Sequence, residues 1–256
     1  MSEPVVWADD GSPHSPRFND WYRSRSGGVA QALHVFLAGC GLPGRWRDAA
    51  EFTVLETGFG LGINFLTTWA AWEADERRCD RLHFVSIEAY PVEAADIVRS
   101  ALPPECAQGA QSPSAPLSAR VQALAEQLAS ALQEVSPGIQ HLRFADGRVQ
   151  LTLAVGEVET MLECLTCEAD AVYLDGFSPA VNPQMWSRAT LQAVARHSRI
   201  GTTLATYTVA RSVRDLLEQL GFGVEKPPGL PPKRQQLQAV FSPLDSASRL
   251  APHVTS

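Results

Sequence analysis

Residues 52–64 read Phe-Thr-Val-Leu-Glu-Thr-Gly-Phe-Gly-Leu-Gly-Ile-Asn, and this order constrains the fold more than any other stretch. A short apolar run (Phe52, Val54, Leu55) ends in an acid, Glu56, and glycines follow at 58, 60 and 62. Ile63, Leu66, Trp69 and Ala70 then recur at helical spacing, which marks one buried helix face. A buried strand, a glycine turn and a helix in that order form the ligand-cradling corner of a doubly wound α/β sheet. Glycine is needed there because the backbone turns tightly and a ligand approaches it closely, where a Cβ would collide.

The spacing narrows the ligand. Only Leu61 separates Gly60 from Gly62, whereas a dinucleotide fingerprint has two residues at that point. A carboxylate just before the first glycine would face a pyrophosphate unfavourably, but it suits a cation. S-adenosylmethionine carries a sulfonium and an ammonium, so Glu56, Gly58, Gly60, Gly62 and Asn64 are expected to hold that cofactor. A nicotinamide dehydrogenase is the rival enzyme and has both the spacing and Glu56 against it.

Strands alternating with helical stripes follow, which predicts one α/β domain with a mostly parallel sheet. Residues 82–88 alternate as a second strand ending in Glu88, placed to accept both ribose hydroxyls. Val121, Leu124, Leu128, Leu132 and Val135 make a long amphipathic helix. Residues 141–144 and 149–155 read as a hairpin around Asp146-Gly147. Glu157, just past that hairpin, is expected to accept from the adenine amino group. Residues 171–174 form another buried strand that ends at Asp175. Residues 1–16 are expected to be a flexible arm, 103–118 a mobile inserted loop, and 243–256 a flexible tail, leaving 17–242 as the domain.

Composition excludes several classes. No apolar run reaches the roughly 20 residues of a membrane span, and the acidic N-terminus lacks a basic-then-apolar leader pattern. Five scattered cysteines fit a reducing cytoplasm. Cys164 and Cys167 make only half a zinc site, so no metal is expected. A net charge of −7 argues against non-specific nucleic-acid binding. Residues 196–234 are nevertheless +4, which allows either a docked polyanion or ordinary solvated helices.

Residues 175–186 read Asp-Gly-Phe-Ser-Pro-Ala-Val-Asn-Pro-Gln-Met-Trp. Together with the glycine corner, this loop resembles the signatures of the bacterial MnmC/MnmD family, and looser agreement runs over roughly residues 17–241. The resemblance implies a class I S-adenosylmethionine-dependent methyltransferase fold, with a seven-stranded sheet whose last strand is antiparallel and helices on both faces. It implies methylation of the 5-aminomethyl group of a wobble uridine in tRNA, with the anticodon region as partner. It also implies a flavin-dependent oxidase that prepares the substrate; since no second glycine fingerprint is found, no flavin is expected here and the chain looks like the stand-alone methyltransferase. Asp175 is expected to border the cofactor and to orient the amine, either as a general base or by orientation alone. Phe177, Pro179 and Tyr207 are expected to wall the uracil, and Lys233 and Arg234 to meet tRNA. Departures include Cys40 for an Asn, Glu157 for an Asp, and prolines before Lys233. A small-amine methyltransferase and a non-catalytic tRNA-binding scaffold remain as alternatives.

Overall fold

The computed structural model describes residues 2–24, 27–102, 115–132, 135–230 and 234–243. Its main sheet is built around β4 (Glu51–Glu56), whose side chains are buried on both faces from Val54 onward. The apolar run that the sequence concentrates there suits a strand covered from both sides. β5 (Arg81–Glu88) and β8 (Ala169–Tyr173) flank it in parallel. β7 (Val149–Val155) extends the sheet beyond β5, and β9 (Ser198–Thr206) beyond β8, again in parallel.

Antiparallel strands close both edges. β6 (Gly138–Phe144) forms the expected hairpin with β7, turning through Ala145–Gly147. On the other side lie β11 (Leu237–Phe241) and, outermost, β10 (Phe222–Glu225). The sheet therefore has eight strands in the order β10-β11-β9-β8-β4-β5-β7-β6, not the seven expected. Antiparallel pairing occurs at both margins; at the β6–β7 edge a short turn returns the chain beside itself.

Helices cover both faces. The chain is helical over α1 (Gly28–Gln31) and continues in wider turns through Ala32–Leu37, burying Val35, Phe36 and Leu37. That segment packs with α2 (Ile63–Ala74), α2 packs in turn with α4 (Ala115–Ala131), and α4 with α3 (Ala94–Ser100). Phe65 and Trp69 of α2 meet Phe144, and the stripe Val121, Leu124 and Leu128 of α4 is fully buried. α5 (Val158–Cys164), α6 (Arg188–Arg196) and α7 (Arg211–Gln219) cover the opposite face through Leu162, Leu191, Val194 and Leu217. Chain order runs outward from β4 through β5 to β7, then returns to β8 and β9. The reversal lies between β4 and β8, where such sheets open a crevice at the carboxyl ends of their strands.

Three expectations about the margins meet different outcomes. Residues 103–114 and 244–256 lie outside the described residues, and the expected inserted loop ends inside α4, which begins at Ala115. Residues 2–16 do not form a loose arm. β1 (Val6–Trp7), β2 (Pro13–Ser15) and β3 (Asp20–Trp21) make a small antiparallel sheet. It docks on the segment after β5. Glu3 N–H donates to Pro91 O at 2.8 Å, the Trp7 indole donates to Asp96 at 2.8 Å, and Arg99 lies over the Trp7 ring. Glu3 is 2% exposed and accepts from Ser15 Oγ and Arg17 Nε. A buried carboxylate satisfied from two directions anchors this segment.

Replacing Glu3 by Ala removes that anchor. Amide exchange over residues 5–15 is expected to accelerate roughly tenfold, the scale of one charged hydrogen bond, with β4 and β5 unchanged.

Candidate functional site

A cavity of about 530 Å³ opens at the carboxyl ends of the parallel strands, beside the reversal point. The loops after β4, β5, β7 and β8 contribute to it, and the N-terminal sheet roofs one side. The two central loops are pressed together. Thr57 Oγ1 donates to Asp175 O at 2.7 Å, and Thr57 N–H donates to Tyr173 O at 3.2 Å. A Cβ on Gly58 would stand 3.0 Å from Asp175 O, so only glycine fits without moving the neighbouring backbone. Gly60 has φ +51° and faces the Tyr22 ring. Gly62 (φ +71°) does not line the cavity; it caps the start of α2, where an added Cβ would meet Phe59 and Leu128.

The acids at the strand ends occupy three different environments. Glu88 lies in the cavity floor, accepting the backbone N–H of Gly60 at 2.7 Å and of Tyr90 at 2.8 Å. Burial pushes its carboxyl up to about 7, against those two hydrogen bonds. Glu157 is exposed at the rim, with the Tyr90 hydroxyl 3.3 Å away. Asp175 follows β8, accepting from Asn64 Nδ2 at 2.8 Å and from Gly176 N–H at 2.9 Å. Gly58, Gly60, Asn64, Glu88, Glu157, Asp175, Phe177 and Tyr207 thus converge on one space, from five separate stretches of sequence.

Glu56 does not. It is fully buried beneath the turn and is absent from the cavity wall. Its partners are Ser86 Oγ at 2.6 Å and Asn64 Nδ2 at 2.8 Å. Burial, reinforced by the nearby Asp175, raises its carboxyl well above the usual range, and it has no surface on the cavity to present to a ligand. β4 ends with Glu56 hydrogen-bonded on both sides, and nothing lifts this residue out of the sheet.

The aromatic expectations divide. Phe177 stacks on Phe18 with ring centroids 4.6 Å apart and meets Tyr22 edge-on, leaving part of its ring on the cavity. Tyr207 lines the cavity too, with its hydroxyl donating to Gly176 O at 2.7 Å. Pro179 stands one residue past the wall formed by Phe177 and Ser178 and does not reach the cavity. Arg234 is exposed outside it, and Lys233 lies outside the described residues. Part of the basic stretch is paired: Arg199 with Asp170, and Arg211 and Arg214 both with Asp215.

Sequence reasoning missed the roof. Phe18, Tyr22, Arg23 and Gln31 line the cavity, and Asp20 Oδ2 accepts from Ser178 N–H at 3.0 Å, holding β3 against the Asp175 loop. The cluster of aromatic and polar residues at 18–22 was the available signal, but no periodicity tied it to the sheet. Among the described residues no cluster of His, Cys, Asp or Glu is arranged to hold a metal ion, and no helix is long and apolar enough to cross a membrane.

A family model described as S-adenosyl-L-methionine-dependent methyltransferase matches residues 119–242. The chain is 53% identical over 243 residues to the tRNA 5-methylaminomethyl-2-thiouridine biosynthesis bifunctional protein MnmC of Acidovorax sp. (strain JS42), covering 95% of this chain and 36% of that protein. It is 52% identical to the protein of the same name from Delftia acidovorans, with the same coverage. The chain therefore spans about a third of the length of these relatives. The crystal structure of MnmC2 from Aquifex aeolicus superposes with a TM-score of 0.70 at 21% identity, covering 97% of this chain and 74% of that one, and so shares its fold.

Two outcomes follow for S-adenosylmethionine binding. Gly58→Ala pushes the Asp175 loop away, and calorimetry is expected to show affinity reduced by roughly tenfold or more. On the expectation that Glu88 accepts the ribose hydroxyls, its carboxylate is the better acceptor, and in the free protein it forms as pH rises through about 7. Affinity is therefore expected to strengthen between pH 6 and 8 and to lose that dependence in Glu88→Gln. Stability of the free protein carries the opposite sign: the Glu88 contribution is present below its unfolded value of about 4.5 and is lost as pH rises toward 7.

Proposed function

We propose that this chain, which belongs to the MnmC family of S-adenosyl-L-methionine-dependent methyltransferases, transfers a methyl group to the 5-aminomethyl group of a wobble uridine in tRNA. The observation that supports the reading most is the meeting of the glycine corner, Glu88 and Asp175 around one cavity. S-adenosylmethionine supplies an activated methyl on a sulfonium. Its fit rests on the bare backbone at Gly58 and Gly60, where a side chain would intrude, and on Glu88 as acceptor at the cavity floor. Glu157 at the rim is the acceptor for the adenine amine.

The residues' work is positioning and proton handling. An alkyl ammonium has a pKa of about 10, so the incoming amine needs a proton acceptor before it can attack. Asp175 orients that amine and takes its proton, while Phe177 and Tyr207 flank the base. Holding donor and acceptor in line supplies most of the acceleration in such a transfer. The partner is the anticodon region of tRNA. A flavin-dependent oxidase, on this polypeptide or another, supplies the primary amine, and the setting is cytoplasmic.

One observation favours a second reading. Among the described residues, the cavity wall carries six carboxyl groups (Glu3, Asp10, Asp20, Glu88, Glu157 and Asp175) and one guanidinium, Arg23. That balance suits a small free cationic amine as well as a nucleotide.

Asp175→Ala is expected to abolish methyl transfer while the cofactor still binds. The measurement is nucleoside mass spectrometry after incubation with tRNA from a methyltransferase-deficient strain. Methylation of free amines with none on tRNA would establish the second reading instead.

A further inference from the structure

We propose that Ser86, Glu56 and Asn64 form a buried positioning chain that fixes the Asp175 carboxylate for its work on the substrate amine. The inference rests on the reading of Asp175 given above. It gives these three residues a task other than holding the cofactor's charge.

The chain is continuous and comes from four elements: two strands, a helix and a loop. Ser86 on β5 bonds Glu56 on β4 at 2.6 Å. Glu56 Oε1 bonds Asn64 on α2 at 2.8 Å, and the same Asn64 nitrogen reaches Asp175 Oδ2 after β8 at 2.8 Å. Ser86 and Glu56 are fully buried, and Asn64 is 9% exposed. A carboxamide nitrogen carries two hydrogens and its oxygen none. Here both hydrogens are committed, one to each carboxyl group. If the amide turned over, both donated bonds would be lost, so the bond to Glu56 helps fix which end of Asn64 points at Asp175. Ser86 fixes Glu56 in turn.

The charge arrangement agrees with this geometry. Two carboxyl groups share one nitrogen in a buried setting with no cation bonded to Glu56 among its described contacts. Burial and the proximity of Asp175 both favour the neutral form of Glu56. That tendency at Glu56 works against a second negative charge beside Asp175, where the amine is to be met. Gly176 N–H holds the other Asp175 oxygen at 2.9 Å. Asp175 is thus gripped on both oxygens, as preorganised catalytic geometry requires.

The test compares Asn64→Ala, Glu56→Leu and Glu56→Gln for cofactor Kd by calorimetry, for kcat on aminomethyl-bearing tRNA across pH, and for the Asp175 carboxyl titration by ¹³C NMR. Losing a hydrogen bond to a charged group corresponds to roughly ten- to hundredfold, so Asn64→Ala and Glu56→Leu are expected to lower kcat by that amount, with cofactor Kd within about threefold of the parent. The acid limb of the pH–rate profile should move up by about one unit or more, since the carboxylate has lost a donor. Glu56→Gln, which keeps a neutral acceptor, should restore most of the kcat lost in Glu56→Leu. Loss of cofactor affinity in parallel with kcat, an unmoved acid limb, or Glu56→Gln as poor as Glu56→Leu would overturn the chain. If the parent protein methylates no tRNA, the functional reading fails, and the NMR midpoint of Asp175 decides the chain by itself. A rise in Asn64→Ala supports it, and no change overturns it.

Discussion

The contact between the loop after β4 and the loop after β8 governs the rest of the site. Thr57 bonds the Asp175 backbone, and Gly58 leaves no room for a Cβ between the two loops. Neither loop has enough local structure to hold its shape alone. Pressed together at the point where the strand order reverses, each becomes a wall for the other. The cavity, the direction of Asp175 and the start of α2 all follow from that single apposition.

Once the loops are fixed, environment separates acids that look alike in sequence. Glu56, Glu88 and Glu157 each stand at or just past the end of a parallel strand. β4 and β5 pair in a register that sets Glu56 opposite Ser86. Glu88 is therefore two residues further along its strand, clear of β4 and level with the glycine turn, where it meets the Gly60 N–H. Glu56 has strands on both sides and stays in the dry interior. Glu157, beyond the hairpin formed by β6 and β7, is in solvent. One residue type serves as structural anchor, cavity floor and rim because desolvation differs at each depth.

The roof depends on long-range contacts of another kind. Asp20 holds β3 to Ser178, Phe18 stacks on Phe177, and the first strands dock on residues 91–99. The cavity is enclosed only because a segment without helical or strand periodicity finds partners far away along the chain.

By itself the sequence determined the alternation of strands and helices, the glycine corner, the hairpin and the acids ending β5 and β8. Each is written in local spacing: apolar periodicity selects the element, and glycine marks where backbone must turn or be approached. The relation to MnmC proteins was legible from residues 175–186 and 52–64 together, since a twelve-residue loop and a glycine corner rarely coincide by chance. Tertiary structure alone decided that Glu56 is buried while Glu88 lines the cavity, that Pro179 stands outside it, that an eighth strand closes the sheet, and that the first residues pack instead of trailing. These outcomes turn on strand register and on contacts between distant segments. No window of neighbouring residues contains that information, because burial is a property of what the rest of the chain brings alongside.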